Sequence, residues 1–245
     1  MFIEIDNLKI EYDYKRISDK TLIFLHGFGG NLNNFSYFAN LFANFGYSTL
    51  NINLTDFGFK TTPKGFNIYD FALVIKKLIN RLKIIDFAFI GHSFGGRLAI
   101  ILSGLHNMGE KLVLVDSAGI RPRFNLITKI KILEYKICRR LVEKKLLNKK
   151  CLDKFGSQDY KTLNDNQKEL FKKVVNEDLT YLLKNINSKT LIIFGKKDKD
   201  TPIYMAKKLN KKIKNSKIIL FNGGHYCYLE EREKFIRVLK EFLGE

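Results

Sequence analysis

Gly91-His92-Ser93-Phe94-Gly95 has the spacing G-x-S-x-G. A serine so placed suits covalent acyl transfer, provided that it stands on a sharp, strained turn between a strand and a helix. Glycine two residues to either side removes the Cβ atoms that would collide in so tight a turn. A helix beginning at the serine aims backbone N–H groups at the place where negative charge develops during the reaction. The flanking residues suit this: Phe87-Ala88-Phe89-Ile90 is an apolar run, Phe94 to Leu105 reads as a helix, and Gly96 lets helix and strand approach. The bland alternative is an ordinary strand–turn–helix glycine cluster.

A second motif, His26-Gly27-Phe28-Gly29-Gly30, directly follows the apolar run Thr21 to Leu25. A glycine-rich turn there can point a backbone N–H at a substrate carbonyl. An oxyanion hole needs two converging donors, and the expected pair is Phe28 and Phe94. A phosphate-binding loop fits less well, because G-x-x-x-x-G-K-[ST] is absent.

A serine nucleophile needs a base, and the chain has four histidines. His26 and His92 belong to the two motifs and are expected to orient loops. His106 falls at the expected end of a helix, where surface is the plain reading. His225 follows Gly223-Gly224 on a late strand-end loop, which makes it the base by elimination and by position. The base in turn needs a carboxylate. Asp198, on a loop after another strand, leads. Asp200 lies too close for spacing to separate it, and Asp116, also at a strand end, stays open. Ser93, Asp198 and His225 stand in the chain order Ser…Asp…His.

The elements that must carry these residues alternate. Residues 2–14 look like two short strands. Thr21–Leu25, Tyr47–Leu54, Phe87–Ile90, Lys111–Val115, Thr190–Gly195 and Ser216–Phe221 read as further strands. Apolar residues recur at helical spacing at Phe71, Val74, Ile75, Leu78 and Leu82, and again at Phe235, Val238, Leu239 and Phe242. Strands alternating with helices predict a mostly parallel, doubly wound α/β sheet. The pattern breaks at about 121–186, where apolar residues such as Ile127, Ile130, Leu133 and Ile137 have helical spacing and no strand is evident. The simplest division is an α/β core of 1–120 and 187–245, interrupted by a helical insert at 121–186.

The 245 residues suffice for one core with one inserted subdomain. The net charge of +18 raises the question of nucleic acid or an anionic surface. No nucleic-acid signature accompanies it, so it reads as composition, and no nucleic-acid partner is expected. Within 121–150, eleven Lys or Arg stand against Glu134 and Glu143, which reads as a solvated helix face. Peripheral membrane contact is the less favoured reading of that stretch. Cys138, Cys151 and Cys227 are scattered, which argues against a disulfide framework or a zinc site and fits a cytoplasmic location. There is no secretory pattern at the N-terminus and no membrane-spanning apolar stretch, so a soluble protein is expected.

Together the motifs resemble the α/β-hydrolase superfamily, in its branch of small cap-bearing esterases and C–C bond hydrolases. The resemblance is carried by His26-Gly27-Phe28-Gly29, Gly91 to Gly96, Gly195 through Asp198 to Pro202, and Gly224-His225, in the right order. It implies an eight-stranded sheet, a helical cap inserted after the sixth strand, and hydrolysis without cofactor or metal. The insert at 121–186 falls where the cap belongs. The chain departs from the family in two places. The loop after the fourth strand usually reads D-x-x-G-x-G-x-S; here it is Asn53-Leu54-Thr55-Asp56-Phe57-Gly58-Phe59-Lys60. No tryptophan follows the HG-x-G turn, and Phe35 is expected in its place. Serine at position 93 disfavours the branches that use an aspartate nucleophile.

The expected activity is serine carboxylesterase chemistry on a small ester or related carbonyl compound. Phe28, Phe57, Phe59 and Phe94 on or near site loops suit an apolar acyl or aryl group, though Phe57 and Phe59 read equally well as core. A C–C bond hydrolase acting on a vinylogous diketone would use the same triad. A non-turnover binding or signalling role is the reading from another class. The sequence leaves the natural substrate and the oligomeric state open.

Overall fold

The computed structural model describes residues 1–54, 65–122, 126–152 and 165–244. The loop motif from Thr55 to Lys60, with Phe57 and Phe59, lies outside the described residues.

Eight strands form one sheet: β1 Phe2–Ile5, β2 Leu8–Lys15, β3 Lys20–Leu25, β4 Ser48–Ile52, β5 Asp86–His92, β6 Lys111–Val115, β7 Lys189–Gly195 and β8 Ser216–Phe221. Their order is β1-β2-β4-β3-β5-β6-β7-β8. β1 and β2 pair antiparallel, as do β2 and β4; every later pairing is parallel. The inner parallel strands β3, β5, β6 and β7 are covered on both faces, so they read as unbroken apolar runs rather than alternating ones. Leu22, Ile23, Phe24 and Leu25 of β3 are each at most 2% exposed.

The helices are α1 Asn33–Asn44, α2 Ile68–Arg81, α3 Phe94–His106, α4 Leu126–Glu143, α5 Asp165–Asn176, α6 Ile203–Lys212, α7 Cys227–Glu230 and α8 Arg232–Leu243. α2 starts at a capping box. The Asn67 side chain accepts the Tyr69 and Asp70 N–H groups, and the Asp70 carboxylate accepts the Asn67 N–H. α3 is buried from Phe94 through Gly104, as a helix apolar all round must be. Phe35 and Phe38 of α1 pack with Tyr228 and Phe235 in the core on one face of the sheet. Phe35 is fully buried and stacks on Tyr228 with ring centroids 5.0 Å apart.

The chain divides into two compact units, Met1–Arg121 with Val174–Glu245, and Pro122–Lys173. Within the first unit the chain leaves after β6 and returns beside its point of departure. The Leu179 N–H donates to the Gly119 carbonyl at 2.9 Å. Arg97, 3% exposed, donates to the carbonyls of Glu177 at 2.8 Å and Val175 at 3.0 Å. Burial brings its guanidinium down to about 10, against the nearby charges of Glu177 and Asp178. Of the second unit, the described residues comprise α4, a 3₁₀ turn at Lys149–Leu152 and the start of α5.

Candidate active site

Ser93 sits between β5 and α3 with φ 50° and ψ −108°, a region that a residue with a Cβ seldom enters. The surroundings enforce it. The Ser93 N–H donates to the Val115 carbonyl at 3.1 Å, and the Ser93 carbonyl accepts the N–H groups of Gly96, Arg97 and Ala118. A Cβ on Gly95 would lie 1.9 Å from the Leu25 carbonyl oxygen, and one on Gly91 would lie 2.7 Å from the Gly95 oxygen. Both positions therefore require glycine.

The His26–Gly30 turn abuts the elbow. A Cβ on Gly27 would lie 3.4 Å from the Ser93 Cβ. The rings of Phe28 and Phe94 meet edge to face at 6.4 Å, so the two expected donor residues are neighbours. Phe28 is half-buried and Phe94 is buried. α3 begins at Phe94, so its N-terminal end, the positive end of the helix dipole, stands at Ser93.

His225 and Asp198 meet directly, with Nδ1 2.9 Å from Oδ2. The Asp198 side chain is fully buried and that of His225 is 16% exposed. The other Asp198 oxygen accepts the N–H groups of Asp200 at 2.8 Å and Thr201 at 3.0 Å, and the Thr201 hydroxyl donates to Oδ2. Burial alone would raise the Asp198 carboxyl; the hydrogen bonds from His225 and Thr201 outweigh it and hold the group below the usual carboxylate range. Burial alone would lower the His225 imidazole. The bond to Asp198 and the charges of Asp198, Asp200 and Asp116 outweigh that and raise it above its usual value.

The other candidates fall elsewhere. Asp200 is exposed; its N–H, not its carboxylate, bonds Asp198. The Asp116 carboxylate accepts the backbone N–H groups of Gly195 and Cys227. Both motif histidines bond main chain: His26 Nδ1 to the Gly27 carbonyl, with Nε2 accepting the Leu54 N–H, and His92 Nε2 to the His225 carbonyl at 2.7 Å. That contact makes His92 the donor through Nε2. Burial and the neighbouring His225 push the His92 ring down to about 3, so it stays neutral. His106 ends α3, with Nδ1 3.4 Å from Lys76 Nζ.

Asp198, Asp200 and His225 also present ligand-type atoms within 4.8 Å of one another. However, the donors already on both oxygens of Asp198 suit a carboxylate that orients an imidazole, not one that ligates a cation. Sequence reasoning missed Thr201, the bond from His92 to the His225 carbonyl, and the grip of Asp116 on two loops. Only Thr201 left a local signal: a hydroxyl three residues after an aspartate is placed for an Asx-type turn.

The model of the α/β hydrolase fold matches residues 20–133. That stretch holds the glycine-rich turn and the elbow, and the sheet order and parallel pairing extend the same architecture to β8. The chain has the α/β-hydrolase fold. A superfamily protein of Bacillus subtilis, YisY, is 28% identical over 255 residues, covering 91% of each chain. Among solved structures, an esterase from Exiguobacterium antarcticum superposes with a TM-score of 0.78 at 24% identity, over 100% of this chain and 99% of its own. The meta-cleavage product hydrolase of Pseudomonas fluorescens gives 0.74 at 18% identity, over 99% and 97%. Among the described residues, no helix is long and apolar enough to cross a membrane.

Proposed function

We propose that this α/β hydrolase is a serine carboxylesterase whose nucleophile, base and acid are Ser93, His225 and Asp198. The contact of 2.9 Å between His225 Nδ1 and Asp198 Oδ2 carries the reading. It turns the second ring nitrogen, Nε2, into the proton acceptor. The strained backbone of Ser93 supplies the complementary support: such strain persists where a side chain must be presented.

In the proposed reaction His225 Nε2 takes the Ser93 hydroxyl proton as Oγ attacks the carbonyl carbon of an ester. Asp198 stabilises the imidazolium without taking its proton. The main-chain N–H groups of Phe28 and Phe94 bond the oxyanion, and loss of one such donor costs about 10²–10³ in rate. The imidazolium then protonates the departing alcohol. Water, deprotonated by His225, attacks the acyl-serine and releases the acid. The rings of Phe28 and Phe94 suit an apolar acyl or aryl group. The helical insert at 121–186 is the proposed cap, and the scattered free cysteines support a cytoplasmic setting.

Fluorophosphonate labelling followed by hydrolysis of p-nitrophenyl esters of graded chain length tests this. Ser93 is expected to be the labelled residue, and Ser93→Ala is expected to fold and lose turnover. Wild-type esterase activity in Ser93→Ala would end the assignment. Likeness of fold to a meta-cleavage product hydrolase favours one second reading, C–C bond hydrolysis with the same residues. Labelling of Ser93 without turnover of any ester in the series would move the assignment there.

A further inference from the structure

Asp116 is a buried carboxylate beside the site that the proposed chemistry leaves unused. It is 0% exposed and directly follows β6 with a left-handed φ of 41°. Its backbone lies against the β7 side of the site: the Asp116 N–H donates to the Ile193 carbonyl at 2.8 Å, and the Asp116 carbonyl oxygen lies 3.0 Å from Thr201 Oγ1, whose proton goes to Asp198. Its side chain reaches both loops. Oδ1 accepts the Gly195 N–H at 2.7 Å, and Oδ2 accepts the Cys227 N–H at 3.4 Å. Gly195 stands three residues before Asp198, and Cys227 two residues after His225.

We propose that Asp116 is a positioning residue that cross-links the loop bearing Asp198 to the loop bearing His225. The inference rests on the triad reading above. It differs from casting Asp116 as the partner of the imidazole, because its oxygens are directed at backbone N–H groups on either side of that pair. A left-handed backbone at a residue with a Cβ is the kind of strain retained where geometry matters. The chemistry also predicts a side effect. The groups that bear on Asp116 are Asp198 from the β7 loop, His225 and Cys227 from the β8 loop, and Tyr228 of α7; those that bear on His225 are Asp198, Asp200, Asp116 and His92. Burial brings the Asp116 carboxyl up to about 7, against the bonds from Cys227 and Gly195 that favour its charged form. Its charge, when present, favours the protonated imidazole.

Asp116→Asn separates these effects. The amide oxygen still accepts the Gly195 N–H, but the charge is gone and the amide NH₂ confronts the Cys227 N–H. The variant is expected to fold, to lose roughly 10-fold in kcat with little change in KM, and to move the acid limb of kcat/KM down by about 0.3–1 pH unit. Unchanged kcat and an unmoved acid limb in a folded Asp116→Asn protein overturn the proposal. So does a loss as deep as that of Asp198→Asn with no shift of the limb, since Asp116 would then be the imidazole's partner. Ser93→Ala, assayed alongside, keeps the two readings apart: turnover in that variant removes the triad itself, whereas an inactive Ser93→Ala beside an unaffected Asp116→Asn removes this inference alone. Should Asp116→Asn not fold, amide NMR of the wild-type protein decides. The Gly195 and Cys227 amides are expected to follow one titration of the Asp116 carboxyl, and its absence from both overturns the cross-link.

Discussion

Two regions hold the proposed site in different ways. The elbow that carries Ser93 is fixed by backbone and packing. Its serine is locked by main-chain bonds to Val115, Gly96, Arg97 and Ala118, with glycines where a Cβ would strike main chain. The loops that carry Asp198 and His225 are fixed by side chains: Thr201 on Asp198, Asp116 on Gly195 and Cys227, and His92 on the His225 carbonyl. The first region is stiff because nothing else fits. The second is exact only while each buried polar partner is present. A side chain added at the elbow's glycines should therefore appear as misfolding, and damage to the loops as lost chemistry on an intact fold.

Asp198→Asn is the strongest way to break the chemistry and leave the fold. Loss of the carboxylate that sets the tautomer costs about 10⁴ in kcat, so ester turnover should nearly vanish while the far-ultraviolet spectrum and the cooperative melt persist. A variant within a factor of ten of wild type would remove Asp198 from its role. Gly95→Ala attacks the other region. Its Cβ would meet Leu25 main chain at 1.9 Å, which no rotamer can relieve. Denaturant titration should report a loss of at least about 3 kcal/mol, or no folded protein; stability near wild type would mean that the elbow is looser than described.

Ser93→Gly sharpens the contrast with a gain. Glycine relieves the positive φ of the elbow, so the folded state should be stabilised by about 1 kcal/mol while turnover is lost. A less stable variant would argue against strain at Ser93. The smallest effect concerns pH. An imidazole acts as a base only when neutral, and that of His225, the proposed base, is raised above the ordinary 6.5, so kcat/KM should climb with pH through a limb lying above 6.5. The stability linkage has the opposite sense: the contribution of His225 is complete below 6.5 and disappears as pH rises through its folded value. Asp198, lowered from 3.8, contributes above that value and loses its contribution as pH falls through its folded one. A rate profile with its acid limb below 6.5 would contradict the raised imidazole.

The same contrast explains what the sequence made legible. β3, β5, β6 and β7 are covered on both faces, so each shows as an apolar run whatever its partners. The elbow is legible because its constraint is local: Gly91, Gly95 and Ser93 lie within five residues. The proposed acid was harder to read. Asp198 and Asp200 are two positions apart, and only the turn that sends the Asp200 N–H back to Asp198 separates them. Asp116 reaches partners 79 and 111 positions away, and His92 one that is 133 away. No spacing rule spans such distances, because the sheet order creates the proximity.

One junction in the core bears on how such a protein can change over generations. The chain leaves at Gly119 and comes back at Leu179, and one hydrogen bond joins those two residues, while Arg97 grips the returning strand of chain at Val175 and Glu177. The ends of the excursion are thus fastened to each other and to the helix behind Ser93. Closing a longer or shorter excursion between fastened ends costs little entropy. Insertions, deletions and wholesale replacement can therefore accumulate between 122 and 173 without transmitting slack to the elbow. That part of the chain is free to drift under selection while the sheet and the elbow are inherited unchanged.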